Sequence, residues 1–329
     1  MAPPSKTASQ ERPDTFGVYT SVEQLLQLRN LAKDLRLETR KQSRAIMGGL
    51  VRTRYRGRGM EFAEVRPYQP GDDIRTIDWR VTARMQAPYT KLFQEEKERP
   101  VFVMIDQRSS MFFGSKNTFK SVFAAQLAST IAWIANNNGD RIGALLFGDT
   151  QQSDIRARRG KHSVLDLIHQ LATYNTLLTS PVLPEKSTNM ETMLTEVSRI
   201  AHPGSRVLLI SDFHDFDKAC AEPLSMIAKR SDISLIHIYD ELERQLPPLS
   251  QLSISNGQQR LKINSNQVSA DFRRLFDHRQ ELIKQSCING GAQYVNAPAS
   301  VSIENFANDL FSSKSRSRRK TGQALGGRK

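Results

Sequence analysis

The stretch "VFVMIDQRSSMFFGS", Val101 to Ser115, runs five apolar residues into an aspartate and then into a polar turn. A short continuous apolar run of this kind reads as a buried parallel strand, and such a strand delivers the side chain at its C-terminal end to the mouth of an α/β sheet. Asp106 is therefore the first candidate site residue. Arg108 is the oddity: if Asp106 and the nearby serines held a divalent cation, a second cation would already be built into their loop.

Beyond Pro100 the pattern alternates. The strand Val101 to Ile105 leads to a helix from Thr118 to Asn136, then a strand Ile142 to Phe147, a polar hairpin-like stretch through Gly160 and a helix His162 to Thr173. A strand ending at Ser211, a helix Ala219 to Lys229, a strand Ile233 to Tyr239, a hairpin with Asn256 and Gly257 at its tip, a helix Ser269 to Asn289, a strand Ala292 to Val295 and a helix Ser302 to Phe311 complete the series. Strands alternating with helices imply a doubly wound, mainly parallel sheet. Upstream, Val22, Leu25, Leu28, Leu31 and Leu35 fall at helical spacing, so one amphipathic helix is expected from Ser21, its N-cap, to Ile46. The Gly- and Arg-rich segment after it has a period near two, with Pro-Gly and Gly-Asp turns, and reads as short strands and loops. The expected organisation is a disordered start (1–20), a helix plus β-rich module (21–99), an α/β domain (100–311) and a basic disordered tail (312–329).

At 329 residues the chain has room for two domains. Hydrophobic residues make up 38% and mean hydropathy is −0.49, with no apolar run near the roughly 18 residues a bilayer requires. The polar start lacks the apolar core of a signal peptide, so a cytoplasmic location is expected. Cys220 and Cys287 have no C-x-x-C spacing and indicate neither a disulfide framework nor a zinc knuckle. Basicity is unevenly placed. Residues 1–100 hold 19 Lys and Arg against 13 Asp and Glu, residues 314–329 hold seven basic and no acidic residues, and the middle holds 21 of each. The tail reads as a solvated end, with nonspecific contact to nucleic acid or acidic partners as the alternative.

In a sheet of this type, chemistry sits where strand ends meet the following loops. Three loops here carry oxygen groups: Asp106 and Ser110 after the first strand, Ser187 and Thr188 before the helix in "STNMETML", and Asp212 after "RVLLIS". Carboxylates and hydroxyls converging without His or Cys suit a hard cation such as Mg²⁺. Taken singly, Thr188 is equally an N-cap and Ser110 equally a turn residue.

The order and spacing of these residues resemble the von Willebrand factor A domain and its metal-ion-dependent adhesion site, Asp-x-Ser-x-Ser followed by a Thr and an Asp. Asp106, Ser110, Thr188 and Asp212 match that pattern in turn; Arg108 stands where the first Ser belongs. "RGRGMEFAEVRPYQPGDDIRTIDWRVTARMQAPYTKLFQEE", with "IDQRSSM" and "NNGDRIGALLFGD", resembles the signature of the domain of unknown function 58 family, whose members join this segment to an A-type domain. The resemblance implies a protein-binding adaptor that acts with a MoxR-type AAA+ ATPase in chaperone-like maturation or remodelling of other protein complexes. Many relatives carry membrane helices before the signature, and none is expected here.

Within the signature, Asp72, Asp73, Arg75, Asp78, Trp79 and Arg80 are expected to form a charge-paired interdomain structure anchored by Trp79, with a partner-binding surface as the alternative. Arg52, Arg54, Arg56 and Arg58 fit either a phosphate grip or the exposed face of a strand. In "SDFHDFDK", His214, Asp215 and Asp217 read as a polar capping loop rather than a metal site, and His237 as a core histidine. No phosphate-binding Gly-rich loop and no nucleophile elbow occurs, so the expectation is a non-enzyme. A nucleic-acid-binding protein and a metal-dependent hydrolase are the rivals; the first leans on pI 9.9, and the second lacks a general base or nucleophile constellation. Arg108 itself is expected to lie among Asp106 and Asp212 as a built-in counter-cation, with at most weak Mg²⁺ binding.

Overall fold

Val101, Val103 and Ile105 face one core while Phe102 and Met104 face another, because successive strand residues point to opposite sides. This two-sided burial explains the unbroken apolar run, and it makes the strand Val101–Asp106 (β3) a central strand of the main sheet. The computed structural model describes residues 17–37, 60–95, 100–178, 188–249, 251–255 and 260–311. The chain divides into two compact units, Met1–Glu38 with Pro100–Lys329, and Thr39–Arg99.

In chain order the elements are α1 (Val22–Leu31), β1 (Met60–Pro67), α2 (Trp79–Met85), β2 (Tyr89–Glu95), β3 (Val101–Asp106), α3 (Lys120–Asn137), β4 (Ile142–Phe147), β5 (Gln152–Arg158), α4 (Lys161–Leu177) and α5 (Met190–Ile200). There follow β6 (Arg206–Ser211), α6 (Ala221–Arg230), β7 (Asp232–Tyr239), α7 (Glu241–Arg244), β8 (Leu252–Ser255), β9 (Arg260–Ile263), α8 (Ser265–Gly290), β10 (Gln293–Pro298) and α9 (Ile303–Phe311).

The main sheet has the order β10-β7-β6-β3-β4-β5. All neighbours pair in parallel except the edge strand β5, which runs antiparallel to β4. Helices α1, α3, α4 and α9 contribute to one core, and α5, α6 and α8 to the other. From β3 the chain moves outward through β4 and β5, then returns to β6 on the opposite side. That reversal makes the gap between the C-terminal ends of β3 and β6 the topological switch point, where an open α/β sheet leaves a crevice.

Two boundaries differ from the sequence reading. Ser21 does cap α1, in a capping box with Gln24, but the helix stops at Leu31 and belongs to the larger unit. Leu25, Ala32 and Leu35 are fully buried in its core, which explains the leucine spacing. Residues 17–20 are ordered as well: the Thr20 N–H donates to the Asn175 side chain at 3.0 Å, and Thr20 is buried. Residues 1–16 and 38–46, the tail from 312, Asn256, Gly257, Arg52, Arg54, Arg56 and Arg58 lie outside the described residues.

In the smaller unit β1 and β2 form an antiparallel pair whose register shifts between Phe62 and Glu64. The connection is not the loop its turn residues implied. Asp78 accepts hydrogen bonds from the Arg80 and Val81 N–H groups at 3.1 and 3.2 Å, and so caps α2. Asp73 caps a preceding turn of 3₁₀ helix, Ile74–Thr76, through the Arg75 N–H. Asp72 is the buried member of the acidic group; it accepts from Arg66 Nη2 at 2.8 Å and from the Gln69 N–H at 3.0 Å. Trp79 is 68% exposed, and Arg75 and Arg80 are exposed too. Within this unit, backbone capping and the Arg66–Asp72 pair organise the segment.

Candidate functional site

Asp106 ends β3 at the switch point, fully buried. Its Oδ1 accepts from the Arg108 backbone N–H at 3.0 Å, and its Oδ2 accepts from the Ser211 hydroxyl, at the end of β6, at 2.6 Å. Arg108 turns inward and is 3% exposed. Nε donates to Asp106 Oδ1 at 3.0 Å and Nη2 to Asp106 Oδ2 at 2.8 Å. On the other side, Nη1 donates to Asp215 Oδ2 at 2.8 Å and to the Thr188 carbonyl at 2.9 Å, and Nη2 reaches Asp215 Oδ1 at 3.0 Å. All five guanidinium N–H groups thus have acceptors, and two carboxylates hold its planar fork side by side.

A second buried cation lies beside the first. Lys120, the opening residue of α3, is 1% exposed. Its ammonium donates to Asp212 Oδ2 at 2.8 Å and to Glu243 Oε1 at 2.5 Å. Asp212 also accepts from the His214 N–H at 3.2 Å and lies 3.2 Å from His214 Nδ1. Glu243 is held in turn by the Asp240 N–H, while the buried Asp240 carboxylate accepts from the Ser115 N–H and hydroxyl, both at 2.7 Å. Asp149, after β4, accepts from Ser109, and Asp215 accepts from the Met190 N–H that opens α5.

The ionisation states follow from this packing. Burial opposes charge on Arg108, but Asp106 and then Asp215 outweigh it and hold the guanidinium above its ordinary pKa. Lys120 is likewise disfavoured by burial and raised on balance by Asp212 and Glu243. Burial would raise the Asp212 pKa, yet Lys120 and His214 hold it well below the carboxylate range; Asp215 is lowered against burial by Arg108 and His214. His214, partly exposed, is penalised by burial and raised overall by Asp212 and Asp215.

Of the positions expected to form a cation site, Asp106 and Asp212 come to the same mouth, each already bound to a different internal cation. Arg108 pairs with Asp106 as expected, but its second carboxylate is Asp215; Lys120 takes Asp212. Thr188 contributes its carbonyl to Arg108, and the N-cap of α5 is Asn189, which accepts from the Thr192 N–H at 2.8 Å. The Ser110 hydroxyl is buried without a hydrogen-bond partner. Ser187 lies outside the described residues.

Sequence reasoning misses Lys120, Glu243 and Asp240, and it reads Asp215 as part of a capping loop, whereas Asp215 pairs with Arg108. Lys120 had a legible signal: a lysine directly before the apolar run "SVFAAQLASTIAWIA" must bury or snorkel, and a buried ammonium needs carboxylates. Asp217 does cap, through the Ala219 N–H. His237 is a core histidine, bonded to the Tyr294 hydroxyl at 2.7 Å and pushed down to about 4 by burial. Burial pushes both thiols, Cys220 and Cys287, up to about 12.

The family model described as protein of unknown function DUF58 matches residues 64–285. The chain belongs to the DUF58 family. This DUF58 chain is built on a six-stranded, mainly parallel α/β unit, with the small antiparallel pair β1–β2 preceding that sheet in sequence. It is 28% identical to the uncharacterized protein Rv1480 of Mycobacterium tuberculosis over 203 residues, 61% of this chain and 62% of the relative, so the match spans less than two thirds of that protein. Solved structures similar to this DUF58 chain include the conserved hypothetical protein BatB from Bacteroides thetaiotaomicron, 13% identical with TM-score 0.38, covering 67% of this chain and 99% of that one. A von Willebrand factor type A structure from Catenulispora acidiphila is 14% identical with TM-score 0.33, covering 58% and 44%.

The adhesion-type metal can be tested against the donors present in this DUF58 site. Both Asp106 oxygens are spent on Arg108 and Ser211, and Asp212 is spent on Lys120 and His214. A guanidinium about 4 Å from a divalent ion would be repelled by roughly 8 kcal/mol at an effective dielectric near 20, more than a single hydroxyl ligand returns. Among the described residues no group of three or more His, Cys, Asp or Glu side chains is arranged to hold a metal. The residues do not fit the ion. Nor is any helix of the described residues long and apolar enough to cross a membrane.

Proposed function

We propose that this protein is a non-enzymatic adaptor that binds another protein at the mouth formed by the loops after β3 and β6 and before α5, acting with a MoxR-type AAA+ ATPase on a client complex. The observation that carries the reading is the ionic saturation of that mouth. Asp106, Asp212, Asp215 and Glu243 are each bound to Arg108 or Lys120, so none is left as a free general base. What the mouth offers instead is a fixed surface. The exposed His214 lies in the loop after β6, and Phe113, which is 41% exposed, lies in the loop after β3, so both belong to the loops that form it. Aromatic side chains on a rigid frame are common anchors of protein interfaces. The ATPase partner is supported by the family resemblance alone.

Binding of the purified protein to the MoxR-type ATPase of the same genome, measured by interferometry, tests the reading. Phe113→Ser and His214→Ala should each weaken binding by roughly tenfold or more at unchanged Tm, the scale of an interface anchor. Undiminished binding by both variants would move the interface away from this mouth.

A further inference from the structure

We infer that Arg108 and Lys120 are resident counter-cations that do the joining work of a divalent ion, so that this loop cluster assembles and stays assembled without metal. The inference concerns how the site is held and does not depend on which partner it binds.

A metal in such a crevice would neutralise carboxylates and tie separate loops to one centre. Both tasks are carried out here by side chains. Arg108 ties the end of β3, through Asp106, to the loop after β6, through Asp215, and to the residue before the α5 cap, through the Thr188 carbonyl. Lys120 ties the start of α3 to Asp212 and to Glu243 in α7. Ser211 bridges further, since its hydroxyl donates to Asp106 while accepting from the Phe213 N–H at 2.9 Å. Two single positive charges equal the charge of one divalent ion, distributed over two anchoring points.

The division between the two cations suits their chemistry. The guanidinium has a planar five-donor fork and takes two carboxylates and a carbonyl with no donor left over. The ammonium is a compact point charge and takes two carboxylates from different directions. Neither cation can be lost to dilution or to a chelator, because each is covalently part of the chain. A site of this kind has no metal-dependent on and off states, and it offers no open coordination position to a partner's carboxylate. The Ser110 hydroxyl, a group of the expected ligand pattern, is buried and without a hydrogen-bond partner.

The test uses the full-length protein after exhaustive dialysis against EDTA. Calorimetric titration with MgCl₂ and with MnCl₂ into the millimolar range should give no binding heat, and thermal melts with EDTA or with either metal should agree within about 1 °C. Micromolar affinity for either ion, or a Tm that falls by several degrees in EDTA, overturns the inference. Arg108→Gln removes the charge and most of the fork; its Tm should be lower by roughly 6–20 °C, the expectation for breaking a buried pair in a unit of this size. A Tm equal to wild type overturns the tying role of Arg108. If the Gln variant does not fold, Arg108→Lys is read in the same melts: it keeps one charge and should fold with a Tm below wild type, still indifferent to EDTA. A Lys variant as stable as wild type would show that the fork geometry is irrelevant and would overturn the inference.

Discussion

Arg108 and Asp215 lie 107 positions apart in the chain, and two parallel N–H···O hydrogen bonds of 2.8 and 3.0 Å join them. Asp215 Oδ2 also accepts from the Met190 N–H, so one carboxylate neutralises a buried guanidinium and satisfies the first turn of α5. Asp215→Ala should therefore cost about 3–5 kcal/mol, the range for removing one partner of a buried pair. The surface pair Arg199–Glu196, whose arginine side chain is 73% exposed, is the internal control. Glu196→Ala should change stability by less than about 1 kcal/mol. Urea denaturation of the two variants side by side checks the contrast.

Lys120→Met retains the length of the side chain and removes its charge, leaving Asp212 buried beside only His214. A loss of about 3–5 kcal/mol is expected. A Met variant as stable as wild type would mean that the ammonium merely offsets its own burial. Chemical denaturation at neutral pH decides between these outcomes.

Acid should unfold the larger unit through the same groups. Asp212 and Asp215 have folded pKa values below the ordinary 3.8, so the unfolded chain binds more protons than the folded one as the pH falls. Their contribution is fully present above about pH 4 to 5 and is lost as the pH drops through the folded values. His214 acts in the opposite direction. Its pKa is raised above 6.5, so its smaller contribution is present below that value and fades as the pH rises through the folded pKa. Melts from pH 3 to 9 should show a steep acid limb and a shallow decline above neutrality; His214→Ala should abolish the second and soften the first, because His214 helps to hold Asp212 and Asp215 down.

The position of α1 makes a prediction about truncation. Leu25 is fully buried against α3 and α4 in the larger core, and the Asn137 side chain donates to the Ala32 carbonyl at 3.2 Å. Leu25→Ala should cost about 2–5 kcal/mol. A chain beginning near residue 98 should aggregate or unfold without cooperativity, because it uncovers the surface that α1 occupies. Sedimentation and circular dichroism of that truncation check the point.

How far the structure was legible depended on whether the deciding interaction was local. β3, β4, β6 and β7 were legible because "VFVMI", "IGALLF", "RVLLIS" and "ISLIHIY" are apolar runs that only burial on both faces explains. Asp106 and Asp212 were legible as the polar residues that follow two of these runs, which brings both to the strand-end loops. What escaped was which cation meets which carboxylate. Asp215 and Asp212 are three residues apart in one loop, and nothing in their spacing says that the first faces Arg108 and the second Lys120. Helix α2 escaped for another reason. Its seven residues are too few for a periodic apolar stripe, and Asp78, which caps it, had been counted among charge partners.

The sequence position of the smaller unit sets an order of events during synthesis. Helix α1 leaves the ribosome well before α4, a helix it packs against, which ends at Leu177, with the whole of 39–99 translated in between. At 5–20 residues per second that is roughly 7–30 s of waiting, far longer than the helix itself needs to form. Through that interval Leu25, Leu28 and Leu31 have no native surface to cover them. The nascent chain thus carries an uncovered apolar helix face through that interval, and its yield should respond to translation speed across the inserted segment.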